Sequence, residues 1–303
     1  MEIEPFLLYL KNVKRYSPLT LIAYKKDLLQ FIEFCENVEC IHEWPEVTLD
    51  VVRHFEMELM SKRLGVSKSK PKALTTSSVR RKMSSLRAFF RYLMHEGVMT
   101  HNPTENIILP KTNRRLPVFI PGHQMNELLE KEDDKYDFSI SRDLMILTMA
   151  YCTGMRRSEL VGLKLDDLDL ENGVVRILGK GNKQRIVPLL DGLKEEICFY
   201  LLKRNEKVQG KHVFFFVTNS GTPISEKYLY RHVKSFLEKE FFLSKRSPHV
   251  LRHTFATSLL NNGACSEAIS KLLGHSSLAA TQIYAHNSFE NLKRCYNQAH
   301  PRA

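Results

Sequence analysis

Four residues near the C-terminus have the types and spacing to act on a phosphodiester. His249 and Arg252 stand three apart, so on a helix they share a face. His275 directly follows Gly274, where a turn can present a side chain to a cleft, and Tyr284 comes nine positions later. Two histidines, an arginine and a tyrosine supply a nucleophile, a proton-transfer partner and charge for phosphate oxygens. Taken singly, each has a plainer use: a satisfied core histidine, a surface arginine, a packed tyrosine. Zinc is the competing chemistry, because His249 and His253 have the four-residue spacing of a metal-binding helix. Position 250 is Val250, however, and not the glutamate a zinc hydrolase uses as base, so no metal is expected.

These residues need three short helices to position them. Ser247-Pro248 opens the first with a capping hydroxyl and a proline that needs no amide partner. Leu251, Phe255, Leu259 and Leu260 recur at helical spacing, and Asn262-Gly263 ends the run. Ile269, Leu272 and Leu273 form a second stripe, stopped by Gly274; Tyr284 falls on a third. The first stretch, His249-Val250-Leu251-Arg252-His253-Thr254-Phe255-Ala256, is followed by Leu273-Gly274-His275-Ser276-Ser277 and by Thr281-Gln282-Ile283-Tyr284. In this order the three resemble the C-terminal signature of tyrosine recombinases, the Xer-type resolvases and phage-type integrases above all.

Upstream, Thr153-Gly154-Met155-Arg156-Arg157-Ser158-Glu159-Leu160 is similar to the first active-site motif of that family. It follows a nearly all-apolar stretch, 141–152, that reads as a buried helix capped at Ser141. The resemblance makes Arg156 the first catalytic arginine, with Glu159 three positions on to orient it; Arg157 would turn to solvent or DNA. Residues 168–189 change to strand pattern around Asn172-Gly173, a strong hairpin signal, and a second turn at Gly179-Lys180-Gly181. Gly-Lys-Gly alone is weak evidence. It lacks the spacing of a nucleotide-binding loop and joins strands instead of opening a helix. Within the resemblance Lys180 is the catalytic lysine, and Lys183 and Arg185 are DNA-backbone contacts.

Composition is consistent with nucleic acid. The 303 residues carry a net charge of +11, spread unevenly. Residues 1–50 hold 5 basic and 9 acidic side chains, and residues 51–115 hold 14 and 4. A basic block in a folded region suggests a phosphate-backbone footprint. Four amphipathic helices are predicted over 2–13, 17–36, 48–60 and from 75 to about 95. On the last, Arg80, Arg81, Lys82, Arg87 and Arg91 lie off the apolar stripe and are candidate DNA contacts. Three prolines, Pro103, Pro110 and Pro117, and three basic residues between Leu109 and Pro117 mark a linker. The expected domains are 1–106, a linker at 107–118, and 119–303. Ser17, Thr20, Tyr24, Asp27-Leu28, Leu86-Arg87 and Asn102-Pro103 match the DNA-clamping N-terminal domain of the recombinases. Ile120-Pro121-Gly122-His123 departs from that family's usual Thr or Ser helix cap.

The second domain continues with a helix at 192–205, an apolar run Val213–Val217 that is strand or buried turn, and a basic-aromatic helix from Ser225 to about 240. That helix carries Tyr228, Tyr230, Arg231 and Lys234 and could enter a groove. Six scattered cysteines without a Cys-x-x-Cys fit reduced thiols in a cytoplasmic, nucleoid-associated protein. No run approaches a membrane span, and the acidic start Met1-Glu2-Ile3-Glu4-Pro5 lacks a signal peptide's basic head.

The fold implied is mainly α with a small antiparallel β-sheet: a four-helix, SAM-like DNA-binding domain, then an α+β tyrosine-recombinase catalytic domain. The function implied is site-specific strand exchange through a 3′-phosphotyrosyl intermediate, needing no cofactor. Partners implied are duplex DNA with a specific site, further protomers making a homo- or heterotetramer on two sites, and a DNA translocase as activator. The role would be chromosome-dimer resolution at cell division, or integration and excision of a mobile element. The tail after Tyr284, with Phe289, Leu292 and Tyr296, would dock into a neighbouring protomer or onto its own domain. Rival readings are a type IB topoisomerase-like enzyme and a DNA-binding protein without catalysis.

Overall fold

The computed structural model describes residues 1–61, 74–109, 118–129, 137–179, 182–210, 212–241, 246–274 and 296–300. The chain divides into two compact units, Met1–Arg115 and Leu116–Ala303.

The first unit is built from α1 (Glu4–Asn12), α2 (Pro18–Asn37), α3 (Leu49–Met60) and α4 (Thr76–His95). Ser17 and Thr75 cap α2 and α4, each accepting from the backbone amide three residues on at 3.3 Å. Thr48 stands at the start of α3 without a side-chain cap bond. The core is aromatic. Phe31, Phe55, Phe89 and Phe90 are fully buried, and Trp44 packs edge-on to Phe89 with centroids 4.6 Å apart. Into this core α2 also turns a carboxylate, Asp27, which is only 1% exposed. Its oxygens accept from Arg81 Nη2 at 2.9 Å, Lys82 Nζ at 2.8 Å and Ser85 Oγ at 2.9 Å. Three donors from one face of α4 thus fix α4 against α2. Loss of the carboxylate would strand a buried ammonium.

The second unit runs α5 (Gly122–Leu129), α6 (Phe138–Thr153), α7 (Arg157–Val161), β1 (Leu168–Asp169), β2 (Val174–Leu178), β3 (Gln184–Pro188), α8 (Asp191–Lys207), α9 (Glu226–Glu240), α10 (Pro248–Asn261) and α11 (Ser266–Leu273). The sheet is antiparallel in the order β1-β2-β3, with Leu168 opposite Val175 and Leu178 opposite Gln184. Helix α6 is the axis of this unit and packs against α8, α9 and α10. It begins a turn earlier than Ser141, which is buried inside it. Asp137 is the cap, accepting from Phe138 N at 2.8 Å. Ser247 stands before Pro248, but its hydroxyl makes no cap bond. In the apolar run 213–217 Phe215, Phe216 and Val217 are buried and Val213 is exposed; single bridges hold it, Lys164 to Phe214 and Val217 to Pro223. At the chain's end, residues 296–299 form a helical turn. Tyr296 is fully buried and its hydroxyl donates to Cys152 O, so this part of the tail packs on its own unit.

Candidate active site

The end of α11 gathers three arginines. Arg185 Nε donates to Leu272 O at 2.8 Å, Arg252 Nη2 to Leu273 O, and Arg156 Nη2 to Gly274 O at 3.4 Å. The last carbonyls of a helix have no intrahelical partner and carry the negative end of its dipole, so guanidiniums suit them. Each arginine arrives from a different element: Arg156 caps α7, Arg185 lies in β3, and Arg252 is one turn into α10. Residues 156, 185 and 252 therefore converge just before position 275.

One carboxylate ties the group together. Glu159 Oε1 accepts from Arg156 Nη1 at 2.8 Å and Arg185 Nη1 at 2.9 Å; its Oε2 accepts from Arg185 Nη2 and the Arg156 amide, both at 2.7 Å. Burial alone would raise this carboxyl. The hydrogen bonds from Arg185 and the Arg156 amide, the Arg185 charge and the Arg156 side-chain hydrogen bond together outweigh it and bring it down to about 2. Three guanidiniums against one carboxylate leave a net positive charge in a half-buried setting, which attracts an anion. Arg252 is 8% exposed; burial first, then the charges of Arg156 and Arg185, lower it to about 10, still fully charged at neutral pH.

Two glycines make these approaches possible. Gly154 ends α6 at φ +61°, and its carbonyl accepts from Arg252 Nη1. A Cβ there would lie 2.6 Å from Phe255 Cδ1. Gly274 has φ +63°, and a Cβ would meet Arg185 Cδ at 3.1 Å. Both positions need the left-handed conformation that glycine adopts freely.

His249 is exposed at the start of α10. Desolvation first, then the charges of His253, Arg252, Arg157 and Arg156, lower its pKa below the usual 6.5. Neutral imidazole at physiological pH can accept a proton. Lys180, His275 and Tyr284 lie outside the described residues. Among the described residues, Gly179 N donates to Lys183 O at 2.8 Å between β2 and β3, and Gly274 closes α11. Among the described residues no three His, Cys, Asp or Glu side chains gather into a metal site.

A family model described as the phage integrase family matches residues 119–291. A second, the SAM-like N-terminal domain of phage integrases, matches 3–97. Tyrosine recombinase XerC of Listeria welshimeri serovar 6b is 37% identical over 303 residues, 99% of this chain and 97% of its own. The chain is a tyrosine recombinase of the phage integrase family. XerC of Thermodesulfovibrio yellowstonii is 39% identical over 309 residues, 99% of this chain and 96% of its own. The solved structure of the XerH site-specific recombinase bound to its difH substrate before cleavage shares the fold. Its TM-score is 0.67 at 23% identity, over 96% of this chain and 82% of that one. The recombinase is thus Xer-like, an enzyme that breaks and rejoins DNA strands.

The residues expected on the DNA side of this recombinase separate into two groups. Arg91 and Lys183 are exposed, and Arg80 is partly exposed on α4. Arg81 is half-exposed while paired to Asp27. Lys82 is a correction: at 6% exposure, with its ammonium on Asp27, it faces the core and not a phosphate. Arg87 Nη2 is turned to the carbonyls of Thr104 and Ile107, both at 3.2 Å, and fastens the segment after α4. The Arg185 side chain is 9% exposed, and its three nitrogens all bond inward. Arg157 pairs with Glu226 on α9 while its side chain stays 42% exposed. On α9, Tyr228 is turned inward to Arg142 and Asp143, while Tyr230, Arg231 and Lys234 stay exposed. The buried charge pairs were missed because their partners are distant in sequence: 55 positions separate Asp27 from Lys82 and 26 separate Glu159 from Arg185. The one signal available was that Lys82 borders the stripe position Met83.

Proposed function

We propose that this recombinase cuts DNA at a specific site by attack of Tyr284 on the scissile phosphate, with Arg156, Lys180, His249, Arg252 and His275 as the other catalytic residues. The Tyr284 Oη–P bond forms and the P–O5′ bond breaks, leaving a 3′-phosphotyrosyl ester and a free 5′ hydroxyl. His249 takes the phenolic proton, and Lys180 delivers a proton to the departing 5′ oxygen. Arg156, Arg252 and His275 donate to the non-bridging oxygens, where negative charge spreads in the transition state. Guanidiniums suit this task because they are permanently charged and present planar paired donors. Because the ester conserves the phosphodiester's energy, a 5′ hydroxyl from a partner strand can reverse the step.

The observation that carries this reading is the gathering of Arg156 and Arg252 at the carbonyls preceding position 275, with excess positive charge that helps lower the His249 pKa. Likeness to proteins named XerC over nearly the full chain supports chromosome-dimer resolution as the role. That role entails two duplex sites, four protomers of one or two kinds and activation by a DNA translocase at the nucleoid. Among the described residues no helix is long and apolar enough to cross a membrane.

The test is incubation with a library of nicked suicide duplexes, from which covalent complexes are recovered and sequenced. One cleavage position within a defined sequence is expected, and Tyr284→Phe should bind the same duplexes without linking to them. Relaxation of supercoiled plasmid lacking that sequence would favour topoisomerase-like action instead. Binding without any adduct from the unaltered chain would favour a protein without catalysis.

A further inference from the structure

We infer that Arg185 is a positioning residue of the cleavage reaction, acting through Glu159 and the end of α11, and not a contact to the DNA backbone. The proposal rests on the recombinase reading above. Both Nη atoms of Arg185 lie on the two oxygens of Glu159, at 2.9 and 2.7 Å, a fork-to-fork pair. Nε is spent on Leu272 O at 2.8 Å. The side chain is 9% exposed, so no nitrogen is turned outward toward a phosphate.

Its placement links three parts of the site that are far apart in sequence. Arg185 belongs to β3, the strand leaving the turn that holds Lys180. Through Glu159 it fixes the loop before α7, because that carboxylate also holds the amide and guanidinium of Arg156. Through Leu272 O and its contact with Gly274 it fixes the end of α11, from which His275 follows. Shortening this one side chain would remove the tie from β3 to Glu159 and to the end of α11. Reacting groups displaced by about 1 Å can lose about a hundredfold in rate.

A phosphate contact and a positioning residue make different predictions. Removing a phosphate contact weakens binding uniformly and lowers the slope of log affinity against log salt by about 1. Removing a positioning residue leaves affinity and slope alone and slows cleavage at saturating DNA. The experiment compares the unaltered chain with Arg185→Ala, Arg185→Lys, Glu159→Gln and Glu159→Gln/Arg185→Ala. The probe is a suicide duplex recovered with the unaltered chain, with thermal unfolding measured alongside. Expected for Arg185→Ala are an unchanged salt slope and about a hundredfold slower cleavage at saturation. Lysine should recover part of that rate, since it can reach one Glu159 oxygen. The double variant should be little slower than the slower single one, because both act through one pair. A salt slope reduced by about 1, or cleavage by Arg185→Ala at the rate of the unaltered chain, would overturn the proposal. So would additive losses in the double variant. An unaltered chain that never links to DNA would instead overturn the parent reading, and this inference with it.

Discussion

At the scale of single residues, charge state decides what each group can do. Partial desolvation and nearby cations lower the His249 pKa, which suits the proton-accepting role proposed for it. Protonation should therefore inhibit cleavage only below the ordinary histidine range. The rate constant at sub-saturating DNA, which reports the free enzyme, should fall on an acid limb below pH 6.5. A limb above pH 6.5 would count against His249 as the acceptor. Glu159 offers a stability test. Its folded pKa of about 2 lies below the ordinary carboxyl value of 4.5, so the stabilisation is complete above pH 4.5 and lost as pH falls toward 2. A depression of that size corresponds to about 3 kcal/mol. Denaturant unfolding should find Glu159→Gln less stable by about that amount at pH 7, with the gap closing between pH 4.5 and 2. Gly154→Ala should cost about 3 kcal/mol in the same assay, from the left-handed backbone and the overlap with Phe255.

At the scale of elements, most of the fold was legible because local signals and burial agreed. Ser17-Pro18 starts α2, Asn172-Gly173 turns β1 into β2, and Gly154 and Gly274 stop α6 and α11. The apolar stripes of α4 and α11 are the faces that are buried. What could not be read is which charged residues turn inward, because that depends on a partner brought close only by folding. Lys82 and Arg185 looked like surface cations from their own segments. Asp27 and Glu159 are the partners that draw them in. The start of α6 was misplaced for a simpler reason: Ser141 and Asp137 are both good caps, and the earlier one is used. The Asp27 cluster gives a prediction at this scale. Asp27→Ala should destabilise the first unit by about 3–5 kcal/mol, read as a lower unfolding midpoint for that unit, because Lys82 is left buried without a counter-charge.

At the scale of the whole molecule, the excess of 14 basic over 4 acidic residues in 51–115 should appear as salt-dependent DNA affinity. The structure sharpens which charges contribute. Arg91→Ala should lower the salt slope by about 1, because that side chain is exposed on α4. Lys82→Ala should leave the slope unchanged and lower stability instead, because its ammonium is sealed against Asp27. Equal slopes for the two variants would mean that burial in α4 does not sort phosphate contacts from core ion pairs. The arginines of the second unit belong to a different class, since they are gathered at the end of α11 and around Glu159. The most direct measurement is therefore to digest the covalent protein–DNA complex and identify by mass spectrometry the residue that carries the nucleotide. The adduct should lie on Tyr284 alone, through a 3′ phosphate; a nucleotide on any other side chain, or on the 5′ phosphate, would contradict the account.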